Sequence, residues 1–190
     1  MAMRTKLGGD VEEIKRRLGD PTRIEKALRQ AVMKEAHWMR KQMVQGLKSG
    51  APAGRQLAPN APSTVSLKGS SKPLIKSATM LNSIAVIRKG KGVFIGIKRS
   101  SKRGVNLAIL HETGGVIRQS VTSRQRRFLM MLSQRMFGRM FAPKLGAQIQ
   151  IRIPARPFIT PVVEKHAPTL VRRIANTFAT TMLSGDFGTP

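Results

Sequence analysis

The run Ile84-Ala-Val-Ile-Arg88, Lys89-Gly90-Lys91-Gly92, Val93-Phe-Ile-Gly-Ile-Lys98 decides the fold class. Two apolar, β-branched runs flank a Gly-Lys-Gly turn, so Ile84–Arg88 and Val93–Lys98 are expected to pair as a hairpin. What lies on either side is helical in period. Upstream, Ile24, Leu28, Val32, Ala36, Met39, Met43 and Leu47 recur every three or four residues, one apolar stripe down about seven turns. Pro21 suits a first helical turn, and Thr22 with Glu25 has capping-box spacing. Gly46 and Gly50 stand where that helix should end.

Downstream, Asn106–Glu112 reads as helix closed by Gly114-Gly115, and Gln148–Ile153 alternates as a third strand. Thr160-Pro161 opens a last helix carrying Val163, Leu170, Ile174, Phe178 and Met182, with Pro168 expected to kink it or reset its start. Val11–Leu18 reads as a short first helix and Ser77–Ser83 as a helical turn. The expectation is a single α+β domain over 1–190. A long N-terminal helix and a C-terminal helix would pack on a small, mainly antiparallel sheet with long loops. Residues 49–76 form a Pro-rich loop, 119–147 a basic, Met-rich insertion, and 184–190 a tail.

The insertion holds a basic amphipathic pattern. Phe128, Leu129, Leu132, Met136 and Met140 fall on one side of a helix over Arg124–Phe141, with Arg124, Arg127, Arg135 and Arg139 across from them. Such a helix fits an acidic partner groove or a membrane surface, or packs on its own domain with its arginines in solvent.

Charge narrows the function classes. The chain has 190 residues and a formal charge of +26. From Ala36 to Val163 there are 23 Lys and Arg against the single acid Glu112, a net +22. The flanks are closer to balance. A basic middle predicts contact with nucleic-acid phosphates or acidic protein surfaces. The candidate contacts are Arg88, Lys89, Lys91, Lys98, Arg99, Lys102 and Arg103 around the hairpin, and Arg124, Arg126, Arg127, Arg135 and Arg139 in the insertion. Base-reading modules are missing, so any contact with DNA would be through phosphates.

With no cysteine, disulfides, zinc–thiolate sites and a cysteine nucleophile are excluded. His37, His111 and His166 are far apart, and His111-Glu112 lacks the second histidine of a zincin helix. No Walker loop, dinucleotide fingerprint or Gly-x-Ser-x-Gly elbow occurs, so neither catalysis nor a cofactor is expected. No apolar run nears the roughly 20 residues that span a bilayer, and Met1–Asp10 lacks the apolar core of a signal peptide.

Three segments in order resemble one family. Lys72-Pro-Leu-Ile-Lys-Ser-Ala-Thr-Met-Leu-Asn-Ser-Ile84, Leu110-His111-Glu112-Thr-Gly114-Gly115 and Ile153-Pro154-Ala155-Arg156-Pro157-Phe158 are similar to segments of tailed-phage virion-morphogenesis proteins, the tail-completion and neck proteins. The last is the most specific, and the likeness covers about residues 20–182. Ser77-Ala78-Thr79 stands where a Thr-Gly pair is usual, the Ser49–Pro73 loop lacks the family's tryptophan, and Arg124–Phe141 corresponds to an insertion of longer members.

The resemblance implies a structural, non-enzymatic ring subunit of the virion neck, made in the bacterial host cytoplasm. It would form a homo-oligomer, with six copies expected, and bind a tail terminator, head-closure or other neck protein. Genome DNA would pass through the lumen without sequence specificity. The loops Ser49–Pro73 and Gln119–Ala147 would order on contact. Locally, the prolines around Arg156 stiffen a strand exit, Arg156 serves nearby carbonyls or a neighbouring subunit, and Phe158 plugs the core or a neighbour. His111 and Glu112 would orient the helix end before Gly114-Gly115 or bond across subunits. A rival reading is a nonspecific phosphate-contacting DNA-binding or packaging protein.

Overall fold

The computed structural model describes residues 16, 18–75, 79–90, 92–97 and 107–185. Most of the expected Val11–Leu18 helix lies outside them, as do Lys91, 98–106 and 186–190 of the tail. The fold is α+β. Its helices are α1 (Pro21–Ser49), α2 (Pro62–Lys68), α3 (Thr79–Asn82), α4 (Leu107–Thr113), α5 (Ser123–Phe137) and α6 (Thr160–Ser184). The strands β1 (Ile84–Lys89) and β2 (Gly92–Ile97) form one antiparallel pair, β3 (Gly115–Ser120) and β4 (Gln148–Ile153) another.

The expected hairpin is therefore β1–β2, but the predicted third strand does not join it. It pairs with β3, which the sequence reading missed, in a register that sets Gly115 opposite Ile153 and Ser120 opposite Gln148. Only Val116 and Ile117 are strongly apolar in β3, and both are exposed, so β3 carries no alternation to detect.

The chain divides into two compact units. One comprises residues 1–41, 86–95 and 163–190, the other 42–85 and 96–162. In the first, α1 begins two residues earlier than its capping-box pattern suggests. The Asp20 carboxylate accepts the backbone N–H of Thr22 at 2.9 Å and of Arg23 at 3.3 Å. Proline prefers the first helical position, so Pro21 makes Asp20 the cap, and Glu25 is left to pair with Arg29 one turn on.

The apolar stripe is also rotated at its start. Ala27 and Ala31 are fully buried, whereas Leu28 is 46% exposed. Small alanines admit a neighbouring helix closely. Leu28 and Val32 instead line a cavity of about 260 Å3 with Arg88 and Val93 of the hairpin.

The buried row then meets a charge. Glu35 is 4% exposed and accepts from Arg173 Nε at 2.6 Å and Thr177 Oγ1 at 3.2 Å, tying α1 to α6. The Arg173 guanidinium lies 3.7 Å from the centre of the Trp38 ring, and His166 meets that indole edge-on at 4.8 Å. α6 runs through Pro168 without a break, so the helix does not restart there. Around it, Thr169 Oγ1 donates to the His166 carbonyl at 3.1 Å.

The second unit is centred on Met43, Leu47, Leu57, Leu81, Ile84, Ile97, Val121, Phe158 and Val162, all buried. Residues 49–76, expected as loop, contain α2 and a 3-10 turn at Pro52–Gly54. Pro62 provides the first turn of α2, and Gly69, at φ +72°, ends it. Pro62 and Gly69 mark helix ends here rather than an unstructured connection.

Candidate functional site

The second and third family-like segments, some forty residues apart, are built into one junction. α4 ends at Thr113, and Gly114 turns the chain into β3 with φ +70°. Because β3 pairs with β4, the segment leaving β4 returns beside the last turn of α4. The approach is close: a Cβ on Gly114 would lie 2.8 Å from Ala155 N and from Ile153 O. Only glycine fits that conformation and that gap.

Across this junction Arg156 N donates to the His111 carbonyl at 2.6 Å. Glu112 reaches further. Its Oε1 accepts Phe158 N and Ile159 N, each at 2.7 Å, while Oε2 accepts Thr160 N at 3.2 Å and Thr160 Oγ1 at 2.7 Å. Of these, Ile159 N and Thr160 N are amides that α6 leaves without intrahelical partners, and a carboxylate suits the positive helix end. Glu112 therefore caps the helix that follows Phe158. The expected orienting role at the end of its own helix is not seen.

Arg156 is 9% exposed and serves carbonyls, one of the two roles expected of it. Nε donates to Ala58 O and Nη2 to Pro59 O, both at 2.7 Å, which pins the chain ahead of α2. Phe158 is fully buried, as a plug should be, with Pro161 and Val162 beside it in sequence. His111 is half-buried and its Nδ1 has no hydrogen-bond partner. Burial, then the Arg156 charge, hold the imidazole below the usual histidine pKa. From the first family-like segment, Leu81 and Ile84 enter the same unit's core; Lys76 to Ala78 lie outside the described residues.

The basic insertion forms a second feature of this unit. α5 opens with a capping box: Gln125 N donates to Thr122 Oγ1 at 3.3 Å, and Thr122 N to Gln125 Oε1 at 2.9 Å. It stops at Phe137, where Gly138 adopts φ +66°, short of the expected end at Phe141. The buried Ser133 ties the returning chain down, its Oγ within 2.8 Å of Phe141 O and 2.9 Å of Phe141 N.

The early stop changes the predicted faces. Arg139 and Met140 leave the helix, and Met140 joins Arg127, Met130, Met131, Gln134 and Arg135 around an open groove of about 450 Å3. Leu129, Leu132 and Met136 are half-buried, while Phe128 is 42% and Met140 63% exposed. Arginines and apolar side chains thus share the exposed surface instead of dividing it. Arg124, Arg126, Arg127, Arg135 and Arg139 are all exposed. Met131, Phe137, Phe141 and Leu145 are more than half exposed as well.

The hairpin candidates fare differently. Arg88 and Lys89 are exposed at the end of β1, in the first unit, whereas α5 belongs to the second. Lys91, Lys98, Arg99, Lys102 and Arg103 lie outside the described residues. Sequence reasoning passed over Glu35, Arg173, Ser133 and Lys68. Glu35 alone had a signal, an acid in the row Ala27, Ala31, Glu35, Met39, Met43, Leu47 spaced by four.

Among the described residues no three His, Asp or Glu converge as a metal site requires, and no helix is long and apolar enough to cross a membrane. Comparison with protein families, curated proteins and solved structures finds no match to this chain.

Proposed function

We infer that this chain is a structural subunit of a tailed-phage neck, a tail-completion or head-to-tail connector protein that acts in a ring, with six copies. The exposed surface of α5 and its return segment is the observation that carries the reading. It combines arginines with Phe, Met and Leu side chains at more than 40% exposure, on a scaffold fixed by a capping box and by Ser133. Apolar clusters of this kind on a soluble surface mark contact sites, and the arginines select an acidic partner. The second and third family-like segments support the reading as scaffold: Glu112, Gly114, Arg156 and Phe158 hold one unit together.

In that role, heterologous contacts between identical subunits close under rotation into a ring. Partners are the tail terminator, head-closure or other neck proteins, and the location is the virion. Cryo-electron microscopy of virions, with the mass of the native assembly, tests this. Density for the chain as a closed ring at the head–tail junction is expected. A virion without such density overturns it.

The arginine-rich surface also favours a second reading, nonspecific binding of DNA phosphates. Affinity of the isolated protein for duplex DNA that falls steeply with salt supports that rival. Weak DNA binding beside tight binding to neck components supports the connector.

A further inference from the structure

Next to the motif junction, the second unit carries an open pocket of about 340 Å3 with one-sided chemistry. Lys68 reaches it from α2, His111 from the last turn of α4, and Arg156 from the segment between β4 and α6. Among the described residues no acidic side chain lines it. Main-chain oxygens, not carboxylates, hold both cations: Lys68 Nζ donates to the Lys72 carbonyl, and Arg156 to those of Ala58 and Pro59.

Hydrogen-bonding capacity is left over at all three groups. A guanidinium has five N–H donors, and two of Arg156's are used by those carbonyls. An ammonium has three, and one of Lys68's goes to Lys72. His111 Nδ1 is buried with no partner. The two cations also repel: burial first, then the Arg156 charge, lower the Lys68 pKa. A single oxyanion would answer the repulsion and both cations together.

The other walls select its shape. Leu67 and Leu74 are apolar, and Thr64 adds a hydroxyl. Asn60 has its amide N–H groups committed to Ser71 O and Lys72 O, both at 3.1 Å, so it is locked rather than free to turn. Inorganic phosphate has no apolar portion to set against two leucines. We propose that the pocket binds a carboxylate on a short aliphatic stem, the group presented by a glutamate side chain of a protein partner. Arg156 and Lys68 take its oxygens, the His111 ring lies alongside, and Leu67 and Leu74 cover the methylenes. The proposal stands on the pocket and does not need the neck reading.

Its test is an NMR titration of the full chain with N-acetylglutamate amide at constant ionic strength, following the His111 ring and the Arg156 Nε–H. N-acetylglutamine amide and inorganic phosphate are the comparators. Saturable shifts at both residues are expected with the glutamate compound, with affinity reduced about tenfold in Lys68→Met, the size of one charge-assisted hydrogen bond. Lys68→Met removes no bond within the motif junction, so it should fold; Arg156→Lys provides a second weakened variant. Equal binding of the glutamine compound, an unchanged titration in Lys68→Met, or no saturable shift overturns the proposal. Tighter binding of phosphate overturns the carboxylate assignment.

Discussion

Glu112 Oε1 accepts the backbone N–H of Phe158 at 2.7 Å, so one side chain from α4 joins the two family-like segments and starts α6. Removing it strands up to three amides and a hydroxyl at a helix end. Glu112→Ala should cost about 2–4 kcal/mol, the range for losing charge-assisted bonds at a partly buried cap. Glu112→Gln keeps one acceptor oxygen and should fall between. Urea unfolding midpoints check the order; equal midpoints for all three proteins would sink the capping role.

Gly114 carries the same junction on its backbone. Gly114→Ala combines a left-handed φ with a Cβ 2.8 Å from main-chain atoms of Ile153 and Ala155, so the strands must part. Gly138 has a similar φ but open space around its Cβ. Gly138→Ala should therefore cost about 1 kcal/mol, and Gly114→Ala at least twice that. Thermal unfolding of the pair separates steric clash from φ strain.

The long elements were legible because periodicity records burial. α1, the hairpin, β4 and α6 all follow from apolar spacing, and Phe158 was read as a plug from its proline frame alone. Two of the errors share a cause: a partner remote in sequence decided the outcome. β3 exists because β4 lies opposite it, not because Gly115–Ser120 is strand-like. Glu112 looked like a local feature of α4, yet its bonds reach 46 to 48 residues away. α5 stops early because Gly138 can turn left-handed and Ser133 holds the returning chain, a bond that no spacing rule encodes.

Glu35 and Arg173 form a half-hidden ion pair, Glu35 nearly fully buried and Arg173 partly open over Trp38. Arg173→Ala leaves a buried carboxylate with only Thr177, which should destabilise the chain by about 3 kcal/mol. Replacing both, Glu35→Leu with Arg173→Leu, removes the charge and its partner together and should recover most of the loss. A double-mutant cycle by urea unfolding measures this. If the double variant is as unstable as Arg173→Ala, packing rather than charge sets the cost.

Two histidines make stability depend on pH. His111 is held low by burial and then Arg156, and Lys68 shares its pocket; His166 is held low by burial, then by Lys165 and Arg173. With folded pKa values below the usual 6.5, the folded protein resists protons that the unfolded chain accepts. Their contribution is complete above pH 6.5 and is lost as pH falls from there through the folded values. The unfolding midpoint should drop between pH 7 and 5, and His111→Asn with His166→Gln should flatten that drop. A decline unchanged in the double variant assigns it to the carboxylates.

The arginines of α5 decide between the two functional readings. Arg127 and Arg135 flank the groove that Met130, Met131 and Met140 line, and neither bonds into the motif junction. Arg127→Glu with Arg135→Glu should leave the unfolding midpoint within about 0.5 kcal/mol of the parent, as surface changes do. If the surface meets an acidic protein, the variant should lose its place in the native assembly, and weak DNA binding should change little. If it meets phosphates, the slope of log affinity against log salt should shrink by about one for each contact removed. Native mass spectrometry and a salt titration on one preparation give both readouts. Retention in the assembly together with an unchanged salt slope would remove this surface from either role.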